Sequence, residues 1–194
     1  LCHNDGYGNF TKITDGDIVN DGGNSNEASW ADYDNDGDMD VFVANDNDEN
    51  NFLYQNNGDG SFTNISAGSI VNDGGYTKGG SWADYDNDGD LDLFVVNSDA
   101  RNKLYDNDGN GSFIEYSGFY EFGYSNGSSW ADYDNDGDLD LFVANFNNEH
   151  NLLYQNDGGS FTQVTEGDNI NDGGYSQGAS WGDYDNDGDL DQII

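Results

Sequence analysis

Bases, thiols and long apolar runs are almost missing from this chain. Only Lys12, Lys78, Arg101 and Lys103 carry positive charge, against 40 acidic residues, for a formal net charge of −36. Such a surface repels nucleic acid and anionic membranes, so neither is an expected partner. Cys2 is the one cysteine, which rules out an internal disulfide and is neutral on compartment. No stretch approaches the roughly 20 apolar residues of a membrane span, so membrane insertion is not expected. His3 and His150 belong to no metal-ligand or nucleophile pattern, and the chain has no GxSxG, no HExxH and no Cys–His pair spaced to support catalysis. Hydrophobic content is low, at 34%, which by itself points toward disorder. Aromatic residues at 14%, and 28 glycines in fixed places, argue for a folded β-rich domain stabilised partly by metal. The chain opens without Met or a signal-like leader, so it is expected to be a mature product or an excised piece.

What is present is acid, concentrated in one string. Asp-Tyr-Asp-Asn-Asp-Gly-Asp-x-Asp occurs four times, starting at Asp32, Asp84, Asp132 and Asp183. Five carboxylates within nine residues repel one another unless a cation sits among them. Every candidate ligand is a hard oxygen, which suits calcium and disfavours zinc. Side chains at string positions 1, 3, 5 and 9 can converge if the backbone turns sharply after position 5. Gly37, Gly89, Gly137 and Gly188 stand at that turn, where a left-handed backbone is cheap only for glycine. Position 7 is expected to give its main-chain carbonyl. An EF-hand opens in the same way but needs Glu at position 12, where this chain has Val43, Val95, Val143 and Ile194. A solvated acidic turn would account for a single copy, but four copies favour metal. Four divalent ions add eight charges, taking −36 to −28.

The strings mark a repeat. Trp30, Trp82, Trp130 and Trp181 are 52, 48 and 51 residues apart. Each unit has a Trp-bearing strand, the acidic loop, an apolar β-rich run such as Leu91–Asn97, and a Gly/Asp/Asn turn closing a third strand onto a fourth. Four strands per unit of about 50 residues is the content of one β-propeller blade. A β-solenoid is the structural competitor.

At this point Trp82-Ala83-Asp84-Tyr85-Asp86-Asn87-Asp88-Gly89-Asp90-Leu91-Asp92-Leu93-Phe94-Val95-Val96-Asn97, followed by Leu104-Tyr105 and Gly111-Ser112-Phe113, resembles the FG-GAP/VCBS repeat family. That family is similar to the calcium-binding blades of integrin α subunits and of some fungal and bacterial lectins. The resemblance covers nearly the whole chain. It implies calcium in the hairpin between a blade's first two strands, about four ions in all, one per repeat. Carried over by position, the implied ligands are Asp32, Asp34, Asp36, Asp38 and Asp40, then Asp84, Asp86, Asp88, Asp90 and Asp92. The third set is Asp132, Asp134, Asp136, Asp138 and Asp140, and the fourth is Asp183, Asp185, Asp187, Asp189 and Asp191. Familiar members have about seven blades, whereas this chain has material for four.

The expected fold is therefore all-β, a β-propeller of four-stranded blades, with 1–194 a single repeat domain. Units fall at about 23–74, 75–123 and 124–174. The segments 1–22 and 181–194 read as complementary halves of one blade. Closure within the chain is favoured, giving four blades, with head-to-tail pairing between chains and a fragment of a larger propeller as alternatives. Tyr76, Tyr124 and Tyr175 recur in Gly-rich segments before the Trp and suit a sugar face, although a tyrosine packed between blades is the plainer reading. The third unit breaks the pattern, with Phe119-Tyr120-Glu121-Phe122-Gly123 in place of Asn-Asp-Gly-Gly. The four Trp read as core. Sequons at Asn9, Asn64, Asn110 and Asn126 matter only in a eukaryotic secretory host.

The leading functional expectation is a secreted or surface-displayed calcium-binding propeller that binds a glycan or an extracellular protein and is not an enzyme. The alternatives are a subunit of an extracellular filament or layer built by half-blade complementation and, third, a polysaccharide lyase or hydrolase.

Overall fold

The computed structural model describes residues 1–194 apart from Asp73, Tyr120 and Asp172. Two Asn-Asp-Gly-Gly segments and the segment that replaces them in the third unit therefore each include one position outside the described residues. The chain opens with a hairpin, β1 (Cys2–Asn4) and β2 (Phe10–Lys12), followed by a helical turn, α1 (Asp17–Asn20). Unit one is β3 (Ser25–Ala31), β4 (Asp40–Asn45), β5 (Phe52–Asn56) and β6 (Phe62–Ile65). Unit two is β7 (Thr77–Ala83), β8 (Asp92–Arg101), β9 (Lys103–Asn107) and β10 (Phe113–Tyr116). Unit three is β11 (Phe122–Ala131), β12 (Asp140–Asn145), β13 (Leu152–Asn156) and β14 (Phe161–Val164), followed by α2 (Asp168–Asn171). Unit four is the hairpin β15 (Ser180–Gly182) and β16 (Asp191–Ile193).

Within a unit every strand pairs antiparallel with the next, and the register repeats. Ala31 faces Asp40, Ala83 faces Asp92, Ala131 faces Asp140 and Gly182 faces Asp191. The ladder slips once near the start of each complete first strand, around Asn26, Lys78 and Asn126. A bulge at that place takes these residues out of the regular ladder, and all three line one cavity.

In the three complete units the apolar stretch of the second strand, such as Leu93–Val96, has no polar face because both of its faces are covered. Leu93 and Val95 lie in an apolar layer with Phe42, Ala44 and Leu53 of unit one. Phe94 and Val96, one residue out of phase, lie in the next layer with Leu141 and Val143 of unit three. Phe142 and Ala144 then form a third layer toward Trp181. The core is thus a series of layers between units, as the period-two alternation of a strand requires. This is the all-β, blade-like repeat that the sequence predicts.

Two features depart from simple repetition. The long β8 continues past its own blade and pairs with β11 through Phe122–Arg101, Gly123–Ala100 and Tyr124–Ser98, so units two and three share one sheet. The third unit's first strand accordingly begins at Phe122, two residues before its expected boundary, in the segment where Asn-Asp-Gly-Gly is replaced. The second departure concerns the ends. β1–β2 and β15–β16 are separate two-stranded sheets, and among the described residues no ladder joins them into the shared blade expected for residues 1–22 and 181–194.

Candidate metal centres

Each acidic string forms the loop between a unit's first and second strands, and its own hydrogen bonds shape it. In unit one, Asp32 accepts from the Asp36 N–H on Oδ1 and from the Gly37 N–H on Oδ2, both at 3.0 Å. Asp36 Oδ1 in turn accepts from the Asp38 N–H at 2.9 Å. The same three bonds recur in the loops beginning at Asp84, Asp132 and Asp183. Two residues per loop take the left-handed backbone. Gly37 has φ 96°, as the sequence predicts, and Asn35 has φ 59°. Asn87, Asn135 and Asn186 repeat that conformation at φ 60–62°. Asparagine tolerates it better than other side chains do, which explains an invariant the sequence displayed without revealing its reason.

Position 9 closes the loop. Asp40 Oδ2 accepts from the Tyr33 N–H at 3.2 Å and Oδ1 from the Asn56 N–H at 2.7 Å, joining the loop to the third strand. Asp92 and Asp140 do the same with Tyr85 and Asn107, and with Tyr133 and Asn156. These three carboxylates are buried. Burial drives their pKa up, to about 6 for Asp40 and Asp140 and about 7 for Asp92, with neighbouring aspartates adding to the effect and the backbone donors opposing it.

Four groups of aspartate bring ligand oxygens within 4.8 Å of one another: Asp32, Asp34 and Asp36; Asp84, Asp86 and Asp92; Asp132, Asp134 and Asp136; Asp183, Asp185 and Asp191. Each group could hold a metal ion. All donors are carboxylate oxygens, the set that hard cations prefer. One atom singles itself out: Asp34 Oδ1 is buried and has no hydrogen-bond partner, while its Oδ2 accepts from Gln55 Nε2 at 2.5 Å. A buried acceptor without a donor is costly unless a cation or water satisfies it, so the residues present fit a bound cation. Asp134 is held in the same way by Gln155. In unit two the corresponding residue is Asp106, whose carboxylate adds to the repulsion that, after burial and Asp88, raises the pKa of Asp86.

Position 7 lies outside these groups. Asp90, Asp138 and Asp189 turn their carboxylates to the preceding loop, where they accept from Asn35, Asn87 and Asn135 at 2.7, 2.7 and 3.1 Å. Their main-chain carbonyls are what they can offer a cation. Asp38 has no such donor among the described residues. Asp88 and Asp187, at position 5, and Asp40 and Asp140, at position 9, also fall outside the groups.

The three tyrosines sit in different surroundings. Tyr76 and Tyr175 are exposed on their own units, and Tyr124 lies half-buried against the Phe146 ring at 5.3 Å. Their backbone role is clear in two cases: the Tyr76 carbonyl accepts from the Ser98 N–H and the Tyr124 carbonyl from the Phe146 N–H. A polar cavity of about 410 Å³, not anticipated from the sequence, opens between the first strands. Asn26, Lys78, Asn126 and Gln177 line it, each four residues before its unit's Trp. That fixed offset was the signal available in the sequence. Glu27 joins them, its carboxyl pushed up in pKa by burial.

A family model described as an FG-GAP-like repeat matches the chain three times, over residues 32–95, 84–143 and 132–194. Each match begins on the first aspartate of a string. No curated protein matches the chain.

Proposed function

The chain belongs to the FG-GAP-like repeat family, and from that membership we propose that it is a secreted calcium-binding β-propeller acting as a binding module. Its partner is a glycan or an extracellular protein, and catalysis is not part of its role. Calcium would be held by Asp32, Asp34 and Asp36 in unit one and by the corresponding groups in the other three, with the position-7 main-chain carbonyl beside them. The ion would supply positive charge that cancels carboxylate repulsion and would tie the first strand of each unit to its second. The observation that carries this reading is the buried, unpartnered Asp34 Oδ1 inside a cluster of oxygens that recurs in every unit.

The cavity between the first strands supports the binding role. Three amides, an ammonium and a carboxylate around about 410 Å³ can donate to and accept from sugar hydroxyls or peptide groups. The Lys78 ammonium is anchored there, 2.7 Å from Asp46 Oδ2 of unit one. Calorimetric titration with calcium tests the metal, and four sites per chain are expected. A glycan array run beside product analysis tests the module: capture without turnover is expected, whereas release of cleaved polysaccharide would overturn it.

A further inference from the structure

Units one and three each carry a glutamate in the loop after their second strand, and the two are held differently. The Glu49 carboxylate is engaged on both oxygens: Oε2 accepts from the Asn24 N–H at 2.9 Å and Oε1 from Asn24 Nδ2 at 2.8 Å. The matching Glu149 accepts from the Tyr124 N–H on Oε2 at 3.0 Å. Tyr124 stands where unit one has Asn24, and its ring lies against Phe146. No side-chain amide takes the place of the Asn24 amide, and Glu149 Oε1 has no hydrogen-bond partner among the described residues. Gly123 lets the carboxylate lie close over the strand, since a Cβ there would come within 2.7 Å of Oε2.

Beside Glu149 the junction of units two and three opens into a hollow of about 150 Å³. Its lining comes only from those two units, including the segment where Phe119–Gly123 replaces Asn-Asp-Gly-Gly. The buried members are bonded to one another: Asn102 Nδ2 donates to Ser125 Oγ at 2.8 Å, and Ser125 Oγ to Asn145 Oδ1 at 2.7 Å. Glu121 accepts from the Tyr154 hydroxyl at 2.9 Å. The exposed members are Phe122, at 73%, and His150, whose ring has no partner among the described residues. The hollow thus offers an apolar ring face, a carboxylate oxygen with open lone pairs and an imidazole.

The charges nearby decide which ligand fits. An anion would meet Glu121 and Glu149 on a chain of net charge −36. A cation over the Phe122 ring would meet the Arg101 guanidinium, already 5.9 Å from the ring centroid. A neutral ring bearing hydroxyls meets neither charge: its C–H face covers Phe122 while its hydroxyls donate to Glu149. We propose that this hollow binds the terminal, uncharged pyranose of a glycan, with Phe122 as the stacking platform and Glu149 Oε1 as the acceptor. The volume suits one sugar ring, since pockets for drug-sized ligands begin at ~300 Å³. Among the three complete units only unit three combines this glutamate with a tyrosine in place of Asn24, so these units carry one such site. The proposal rests on the glycan reading above and gives it a location.

Ligand-observed NMR titration of the full chain in calcium tests it, with methyl glycosides of neutral hexoses and N-acetylhexosamines as probes and glucuronate and glucosamine as charged controls. Saturable binding of a neutral glycoside in preference to both controls is expected. Phe122→Ala and Glu149→Gln should each raise its dissociation constant about tenfold or more. Glu49→Gln, at the matching place in unit one, should leave it unchanged. Melting curves report whether each variant is folded. If Phe122→Ala does not fold, Glu149→Gln, which keeps an acceptor for the Tyr124 N–H, carries the test. Equal losses for Glu149→Gln and Glu49→Gln would overturn the site by showing a general effect of charge, as would preference for glucuronate or glucosamine. Neutral-sugar binding untouched by Phe122→Ala and Glu149→Gln would overturn the site and leave the binding-module reading standing. Absence of binding by every neutral glycoside would also overturn the site, and the glycan reading falls with it only if the glycan array is blank as well.

Discussion

Unit two and unit four carry the same nine-residue pattern in opposite surroundings. Tyr85 is 3% exposed and Tyr184 is 80% exposed. Yet the loops are built alike: Gly89 donates to Asp84 at 3.0 Å and Gly188 to Asp183 at 3.1 Å, with Asn87 and Asn186 both left-handed. Loop geometry therefore follows from local sequence and is the same with a described neighbour on one side as on two. Burial does not. It comes from apolar layers that need a unit on each side, and unit four has a described partner on one side only.

Metal removal should have the largest effect and should erase the likeness between the loops. With a chelator, the carboxylates of all four units are left uncompensated, and the thermal midpoint is expected to drop by about 10 °C or more with cooperative loss of near-UV circular dichroism. A melting curve indifferent to EDTA would refute structural calcium.

The contrast in burial is sharpened by one substitution made twice. Tyr85→Ala empties a site between units two and three and is expected to cost about 3 kcal/mol or more in urea unfolding. Tyr184→Ala, at the matching position, should stay within about 0.5 kcal/mol. Equal costs would mean that unit four is buried in solution.

Acidity should act with opposite sign on metal-free and metal-loaded protein. Asp92, Asp40 and Asp140 have folded pKa values of about 7, 6 and 6, above the ordinary 3.8. Between the ordinary and the raised value the folded state binds more protons than the unfolded state, so stability falls as pH rises. In EDTA the protein should therefore melt at a higher temperature near pH 5.5 than near pH 8. In calcium the order should reverse, since protonation displaces the ion. The same order in both buffers would break the link between these carboxylates and metal.

The smallest effect separates the sites from one another. Asp106→Gln gives unit two the amide that Gln55 and Gln155 supply to Asp34 and Asp134. Fewer negative charges weaken calcium binding, so the second site is expected to lose roughly two- to tenfold in affinity by calorimetry. Metal-free stability should rise by about 0.5 kcal/mol as the repulsion on Asp86 is relieved.

Much of this molecule is legible in its residues. Alternation in Leu91–Val96 marks a strand buried on both faces, and the glycine after position 5 marks the sharp turn. The convergence of aspartates was readable because it is made within a few residues. Three things were not readable. Position 7 turns away to meet an asparagine more than 50 residues earlier, as Asp90 meets Asn35. The serine before each Trp looked like any strand serine until it became an indole acceptor one unit on, as Ser29 is for Trp82. The pairing of β8 with β11 replaced a segment whose only sequence sign was a missing Asn-Asp-Gly-Gly.

The sequence by itself determined the repeat, the four-stranded content of each complete unit and the shape of each acidic loop, because these depend on turns, alternation and hydrogen bonds between near neighbours. The tertiary structure alone decided which side chains link one unit to the next and which polar groups gather around the cavity between the first strands. Those outcomes depend on how successive units stack, and no local pattern of residues encodes an arrangement built up over three interlocked layers.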